Sequence, residues 1–219
     1  MFRLDIGNVY RSSNLEELSW LRHEFGTRHS EWPPETELAT LKQIHSDRVI
    51  EADRAGCLGE GDALITNHPG ILLSIRTADC LPILMADPRN RAVAAVHAGW
   101  RGVVQEITSK TIEAMTARFG TDPAELVIGI GPGIGCCCFE VGAEVATQFA
   151  HFFPERSDLS GRGRVDLLET TRRQVRRNGV KAGLLATAEL CTSCQAGQFH
   201  SYRRDRDRAG RMVSVIGIV

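Results

Sequence analysis

Hydrophobic and polar positions along this chain follow two periods, and they predict strands and helices in mixed order. Residues 13–25, SNLEELSWLRHEF, place Leu15, Leu18, Leu21, His23 and Phe25 near helical spacing behind a Ser13 or Asn14 cap, with Glu16 and Glu17 in the first turn. That pattern predicts a short amphipathic helix. Pro33 and Pro34 break the chain. Beyond them, alternation around residues 48–52 predicts a half-buried strand. GEGDALIT and GILLSIRTADCLPILMAD predict a turn, a strand, a turn and two further strands interrupted near residues 79–82, and RAVAAVHAG continues the apolar run. From Val103 the period changes. VVQEITSKTIEAMTARFG sets Val104, Ile107, Thr111, Ile112, Met115 and Phe119 on one helical face that ends at Gly120. A strand at ELVIGIG, helices at EVGAEVATQFAHFF and DLLETTRRQVRRNGV, the latter stopped at Gly179, and a closing strand SVIGIV complete the reading.

Strands and helices intermix without regular alternation, so the expected fold is α+β, with mixed β-sheets packed together and flanked by helices. The 219 residues, 42% hydrophobic and 24% charged, suit one domain spanning 1–219 with a core large enough to enclose a pocket. A net charge of -1 gives no overall pull towards nucleic acid or an acidic membrane. No window approaches the roughly 18 apolar residues of a membrane span, and MFRLDIGNVY lacks a secretory pattern. We therefore expect a cytoplasmic monomer that acts on a small molecule. Seven cysteines, three of them consecutive at Cys136, Cys137 and Cys138, form a poor disulfide framework and suit reduced thiols.

Candidate chemistry lies where strand-like segments meet loops rich in Gly, Asp or Ser. His45, Cys80 and His97 each occupy such a position. Two imidazoles and a thiolate are zinc donors, and three protein ligands leave a fourth position open, as in catalytic sites. The separations match no local zinc-finger pattern, and each residue equally fits a packed core position. Asp79 is a candidate acceptor behind the ligands, Gly99 and Gly102 would give clearance, and Ser46, Arg48 and Arg101 would supply anion-binding donors.

Six ordered stretches sharpen this. KQIHSDRV, GDALIT, TADCLPILMAD, AAVHAGWRG, IGPGIGCCCFEV and HSYRRD resemble the successive signatures of the YfiH/laccase-domain family, known both as multicopper polyphenol oxidases and as purine nucleoside phosphorylases. The resemblance runs from about Phe25 to the C-terminus. It implies a YfiH-like fold and makes His45, Cys80 and His97 the metal ligands. It also implies phosphorolysis of adenosine, inosine, guanosine and methylthioadenosine, with adenosine deamination. Zinc would acidify a water for deamination. With Arg48 or Arg101 it would orient phosphate. Only EWPPETELATL stands where relatives carry a longer segment before Q-x-H, which would remove one wall of the pocket. Tyr202 and Arg203 are expected near it.

Other functions share the same ligands. Copper-dependent phenol oxidation is one, with Cu2+ as an occupant in vitro, but a trinuclear cluster needs H-x-H pairs and this chain has none. Amide hydrolysis in editing peptidoglycan precursors is another. A non-catalytic, thiol-rich metal-binding module is a third, and it would hold more than one metal per chain. GIGPGIG departs from G-x-G-x-x-G and reads as a tight loop. The three consecutive cysteines, taken as extended chain with alternating side chains, cannot all address one ion and read as buried thiols near the site. CTSC, with Cys191 and Cys194, has no second C-x-x-C to complete a four-sulfur site and reads as structural or incidental.

Overall fold

The computed structural model describes residues 1–219. In chain order its strands are β1 (Phe2–Asp5), β2 (Val9–Ser12), β3 (Leu21–Gly26), β4 (Leu38–Lys42), β5 (Val49–Glu51), β6 (Gly56–Glu60), β7 (Ala63–Thr66) and β8 (Leu72–Thr77). They continue as β9 (Leu81–Asp87), β10 (Ala92–Ala98), β11 (Val127–Ile130), β12 (Glu140–Val141), β13 (Gly163–Arg164), β14 (Leu185–Thr187) and β15 (Met212–Ile218). The helices are α1 (Ser13–Glu16), α2 (Trp100–Val104), α3 (Ile107–Phe119), α4 (Ala143–Phe149), α5 (Leu167–Arg177) and α6 (Tyr202–Asp205).

Two mixed sheets stack face to face. One runs β1-β2-β3-β15-β8-β4-β6 and the other β14-β11-β9-β10-β7-β5. Alternating residues of β9 and β10 serve different layers, as a strand's period of two requires. Leu84, Ala86, Val93 and Ala95 pack with Phe25, Leu73, Ile75 and Ile216 between the sheets. Ile83, Met85, Ala94 and Val96 pack with Ile107, Met115, Phe149 and Val175 beneath the helices. Both central strands are therefore buried on both faces, which is why they read as unbroken apolar runs. No helix is long and apolar enough to cross a membrane.

The segment 13–25 corrects the helix expected there. Helix α1 ends at Glu16, and β3 follows as a strand paired with β15 in the antiparallel sense. Leu15, Leu18 and Leu21 hold helical spacing, but Leu21, His23 and Phe25 are also an alternating set, and pairing with a strand at the far end of the chain decides for it. The side chain of Asn14 does not cap the helix; it donates to the carbonyls of Ile128 and Leu184. His23 is buried, and its Nε2 accepts from the Ser12 amide. Burial, helped by Arg11, pushes its pKa down to about 4, so the ring is neutral.

The helix expected from Val103 is two helices. Glu106, at φ +60°, breaks the chain between α2 and α3, which leaves Val104 on the shorter one. Gly120 ends α3 in the left-handed conformation that glycine adopts without strain. Helix α5 is capped where Asp166 accepts from the Glu169 amide. Strands β1, β2, β4, β6, β13 and β14, and the short helix α6, lie outside the elements expected from the sequence, and β12 takes the start of the helix expected over 140–153, of which α4 covers only Ala143–Phe149.

Candidate metal centre

The strand ends bring His45, Cys80 and His97 together. His45 follows β4 of the first sheet, Cys80 sits on the connection from β8 to β9 that crosses between sheets, and His97 is the penultimate residue of β10 in the second. Register fixes the last two, because His97 lies opposite Pro82, two residues beyond Cys80. One donor atom from each residue lies within 4.8 Å of the others. Cys80 Sγ is 4.0 Å from His45 Nε2, and the two imidazoles meet edge to face. His45 is exposed, Cys80 half-buried and His97 buried, so the cluster is closed on one side and open on the other.

Asp62, one residue before β7, holds two of the three in place. Its buried carboxylate accepts from His97 Nδ1 at 2.8 Å, from the His45 amide at 3.0 Å, and from the amide and hydroxyl of Ser46 at 2.6 and 2.7 Å. Its carbonyl accepts from the His97 amide. The Nδ1 bond directs His97 Nε2 towards the sulfur and sets which nitrogen is available. Burial opposes ionisation of Asp62, but the bonds from His97 and Ser46 outweigh it and bring its pKa down to about 2. Burial likewise opposes charge on Cys80 and His97. Each supports the other's charge, aided by His45 for the thiol and by Asp62 for the imidazole, so the thiol falls to about 6 and the imidazole rises to about 9.

Backbone strain concentrates here as well. His45 at φ +59° and Asp79 at φ +88° are non-glycine residues in the left-handed half of conformational space, each costing on the order of 1 kcal/mol. The carboxylate of Asp62 clamps the turn that holds His45. Gly99 supplies the clearance expected of it: a Cβ there would stand 2.9 Å from the His45 ring and 3.0 Å from Cys80 Sγ. Gly102 does not, since its nearest neighbours are Ile107 and the Ser46 carbonyl, each at 3.2 Å.

A cavity of about 950 Å³ opens over the cluster. Trp100 and Phe139 supply flat walls, and Arg76, Arg101, Arg203, Arg206 and Arg211 ring it. Tyr202 lies at its edge, so Tyr202 and Arg203 stand where the family resemblance implies. Arg48 does not line the cavity; its exposed charge acts instead on Asp47 and Glu60. Ser46 is committed to Asp62 and is no free anion donor. Asp79 also differs from expectation, because its carboxylate accepts from Thr192, Ser201 and the Arg203 amide rather than from a ligand. The backing acceptor is Asp62, at the head of the apolar strand in GDALIT.

The chain is similar to known proteins along most of its length. The model of the family described as multi-copper polyphenol oxidoreductase laccase matches residues 22–219. The chain belongs to this laccase-like family. A purine nucleoside phosphorylase of Deinococcus radiodurans is 40% identical over 184 residues, covering 83% of this chain and 70% of that protein. Adenosine deaminase RL5, from an unknown prokaryotic organism, is 35% identical over 191 residues, covering 80% and 72%. The crystal structure of the Bacillus licheniformis protein YfiH superposes with a TM-score of 0.89 at 27% identity, covering 100% of this chain and 99% of that one. As a member of the laccase-like family, the chain has the mixed-sheet architecture expected from its sequence.

Proposed function

We propose that the chain is a zinc-dependent purine nucleoside phosphorylase that also deaminates adenosine. The observation that carries this reading is an open three-donor cluster at the floor of an arginine-ringed cavity. The names of its relatives support the substrate class. Two imidazoles and one thiolate, held to one side by Asp62 and cleared by Gly99, match a zinc site that keeps a position for a reacting group. Zinc bound there would supply a Lewis acid, able to polarise a phosphate oxygen or acidify water at neutral pH.

The chain's own residues do the rest. Arg101 and Arg203 hold phosphate by charge-assisted hydrogen bonds and orient it towards the ribose C1 carbon, positioning being the main source of rate in such a transfer. Trp100 and Phe139, with Arg101 4.3 Å over one ring and Arg203 5.2 Å over the other, form aromatic walls beside a bound purine. The cavity volume lies at the upper end for small-molecule pockets, enough for a nucleoside with phosphate beside it. Adenosine, inosine, guanosine and methylthioadenosine are the substrates proposed. Multicopper oxidation is disfavoured because His45 and His97 are the only histidines lining the cavity, too few for a trinuclear cluster.

The test incubates zinc-loaded protein with inosine or adenosine and phosphate, and follows ribose 1-phosphate, free base and inosine. Product from both reactions is expected, with Arg101→Ala and Arg203→Ala raising the KM for phosphate by about tenfold, the worth of one charge-assisted bond. Zinc-loaded protein that forms none of these products sinks the proposal.

A further inference from the structure

A second set of metal-ligating side chains lies outside the three-donor cluster. The sulfurs of Cys137, Cys138, Cys191 and Cys194 all fall within 4.8 Å of one another. Cys138 and Cys194 are 3.3 Å apart, Cys137 and Cys194 3.6 Å, and Cys137 and Cys138 3.8 Å. Residues 136–138 form a turn rather than an extended run. Adjacent side chains therefore do not alternate as an extended run would require; Cys137 and Cys138 turn to the same side while Cys136 stays out of the group, so two of the three thiols, though not all three, can share an ion. They are also not buried: Cys136 and Cys137 are exposed and Cys138 half-buried. The pair from this turn stands in for the second C-x-x-C that the sequence lacks, and Cys191 and Cys194 supply the other half.

We propose that these four cysteines bind one zinc ion as a closed, tetrahedral structural site. Four thiolates at about 2.3 Å from a zinc ion stand about 3.8 Å from each other, and the three measured separations reach that value from 0.5 Å below it. Iron–sulfur clusters spread their thiolates around a core of several atoms and need a wider set than this. All seven cysteines are free, and a disulfide would bring one pair to about 2 Å and leave the others out. The surroundings are built for sulfur. The Gly135 amide donates to Cys191 Sγ at 3.2 Å. A Cβ on Gly135 would stand 3.2 Å from Cys137 Sγ and 3.5 Å from Cys191 Sγ, so glycine leaves room for both. Arg204, paired with Asp205, donates to the carbonyls of Thr192 and Ser193 and so ties down the loop that carries two of the thiols.

The position of the site gives it a role. It joins the loop 131–139, after β11, to the loop 188–201, after β14. The first leads into Phe139 and Glu140, and the second into Tyr202 and Arg203, all on one wall of the cavity. Arg203 donates to the carbonyls of Cys138 and Glu140, and Thr192 donates to Asp79, the neighbour of Cys80. Zinc would therefore staple the wall facing the reaction centre without taking part in the reaction.

Metal analysis of the protein purified in its native state, without chelator, tests this independently of turnover. About two zinc ions per chain are expected, falling to about one in Cys137→Ser/Cys194→Ser and to about one in Cys80→Ala. Cobalt loaded into Cys80→Ala should show the intense charge-transfer spectrum of a four-sulfur site, and that spectrum should vanish when Cys137→Ser/Cys194→Ser is added. A zinc count left unchanged in the double serine variant, a Cys80→Ala protein that holds no zinc, or a mass lower by two hydrogens under non-reducing conditions overturns the proposal. These readouts are separate from the phosphorolysis assay, so failure here and failure of the proposed function are distinguishable.

Discussion

The two ligand clusters use similar atoms to opposite ends. Each takes its donors from separate stretches of chain, and each has a glycine, Gly99 or Gly135, where a side chain would strike the donors. One offers three donors beneath a cavity; the other offers four sulfurs on the surface that would complete a tetrahedron. An ion with three protein ligands has somewhere to bind a reactant, whereas an ion enclosed by four can only hold its ligands together. Two metals per chain would therefore not make this protein a metal carrier, because the second ion is locked into the fold. What separates chemistry from structure here is the vacant side, not the number of donors.

The largest expected effect breaks the comparison at its open end. Cys80→Ala should lower kcat by about a thousandfold or more, since metal activation is worth several kcal/mol. Cys137→Ser/Cys194→Ser should leave kcat within a fewfold while raising KM, and steady-state kinetics on the two proteins checks both. Next comes Asp62→Asn, expected to weaken zinc at the three-donor site by about 10- to 100-fold, as measured by competition with a chromophoric chelator. The four-sulfur ion should be unaffected. Smallest is the response to a change of one pH unit. His97 must give up its proton to bind metal, so a proton competes below a pKa of about 9, while the Cys80 thiol is ionised above about 6. Affinity at the three-donor site should therefore rise by up to about tenfold per pH unit between these values. Calorimetry in buffers of different ionisation heat should find about one proton released at pH 7.

The sequence exposes some of this well, and the limits have physical causes. Strands β9 and β10 are legible because burial on both faces leaves no polar break, and His97 stands out as the polar residue where such a run ends. Residues 13–25 mislead because Leu21 belongs to a helical and an alternating set at once, and β15, which decides between them, lies almost 200 residues away. Arg48 is close to His45 along the chain, yet the turn clamped by Asp62 points it away from the cavity. Distance in sequence is a poor guide to facing. Asp62 itself is silent in the pattern, because its partners converge only when two sheets meet. The four cysteines are missed for a simpler reason: assuming an extended chain at 136–138 forces alternation, and the turn there removes it.

The crossing of the chain between sheets at Cys80 also bears on how such proteins diverge. The metal donors hang from the ends of strands whose packing tolerates little change, while four of the five cavity arginines and both aromatic walls are carried outside the two large sheets. Variation is therefore channelled: a lineage can exchange the rim, and with it the molecule that is recognised, while inheriting the reactive centre intact. Different activities can then accumulate on one ancestral framework, each a new edge around the same metal.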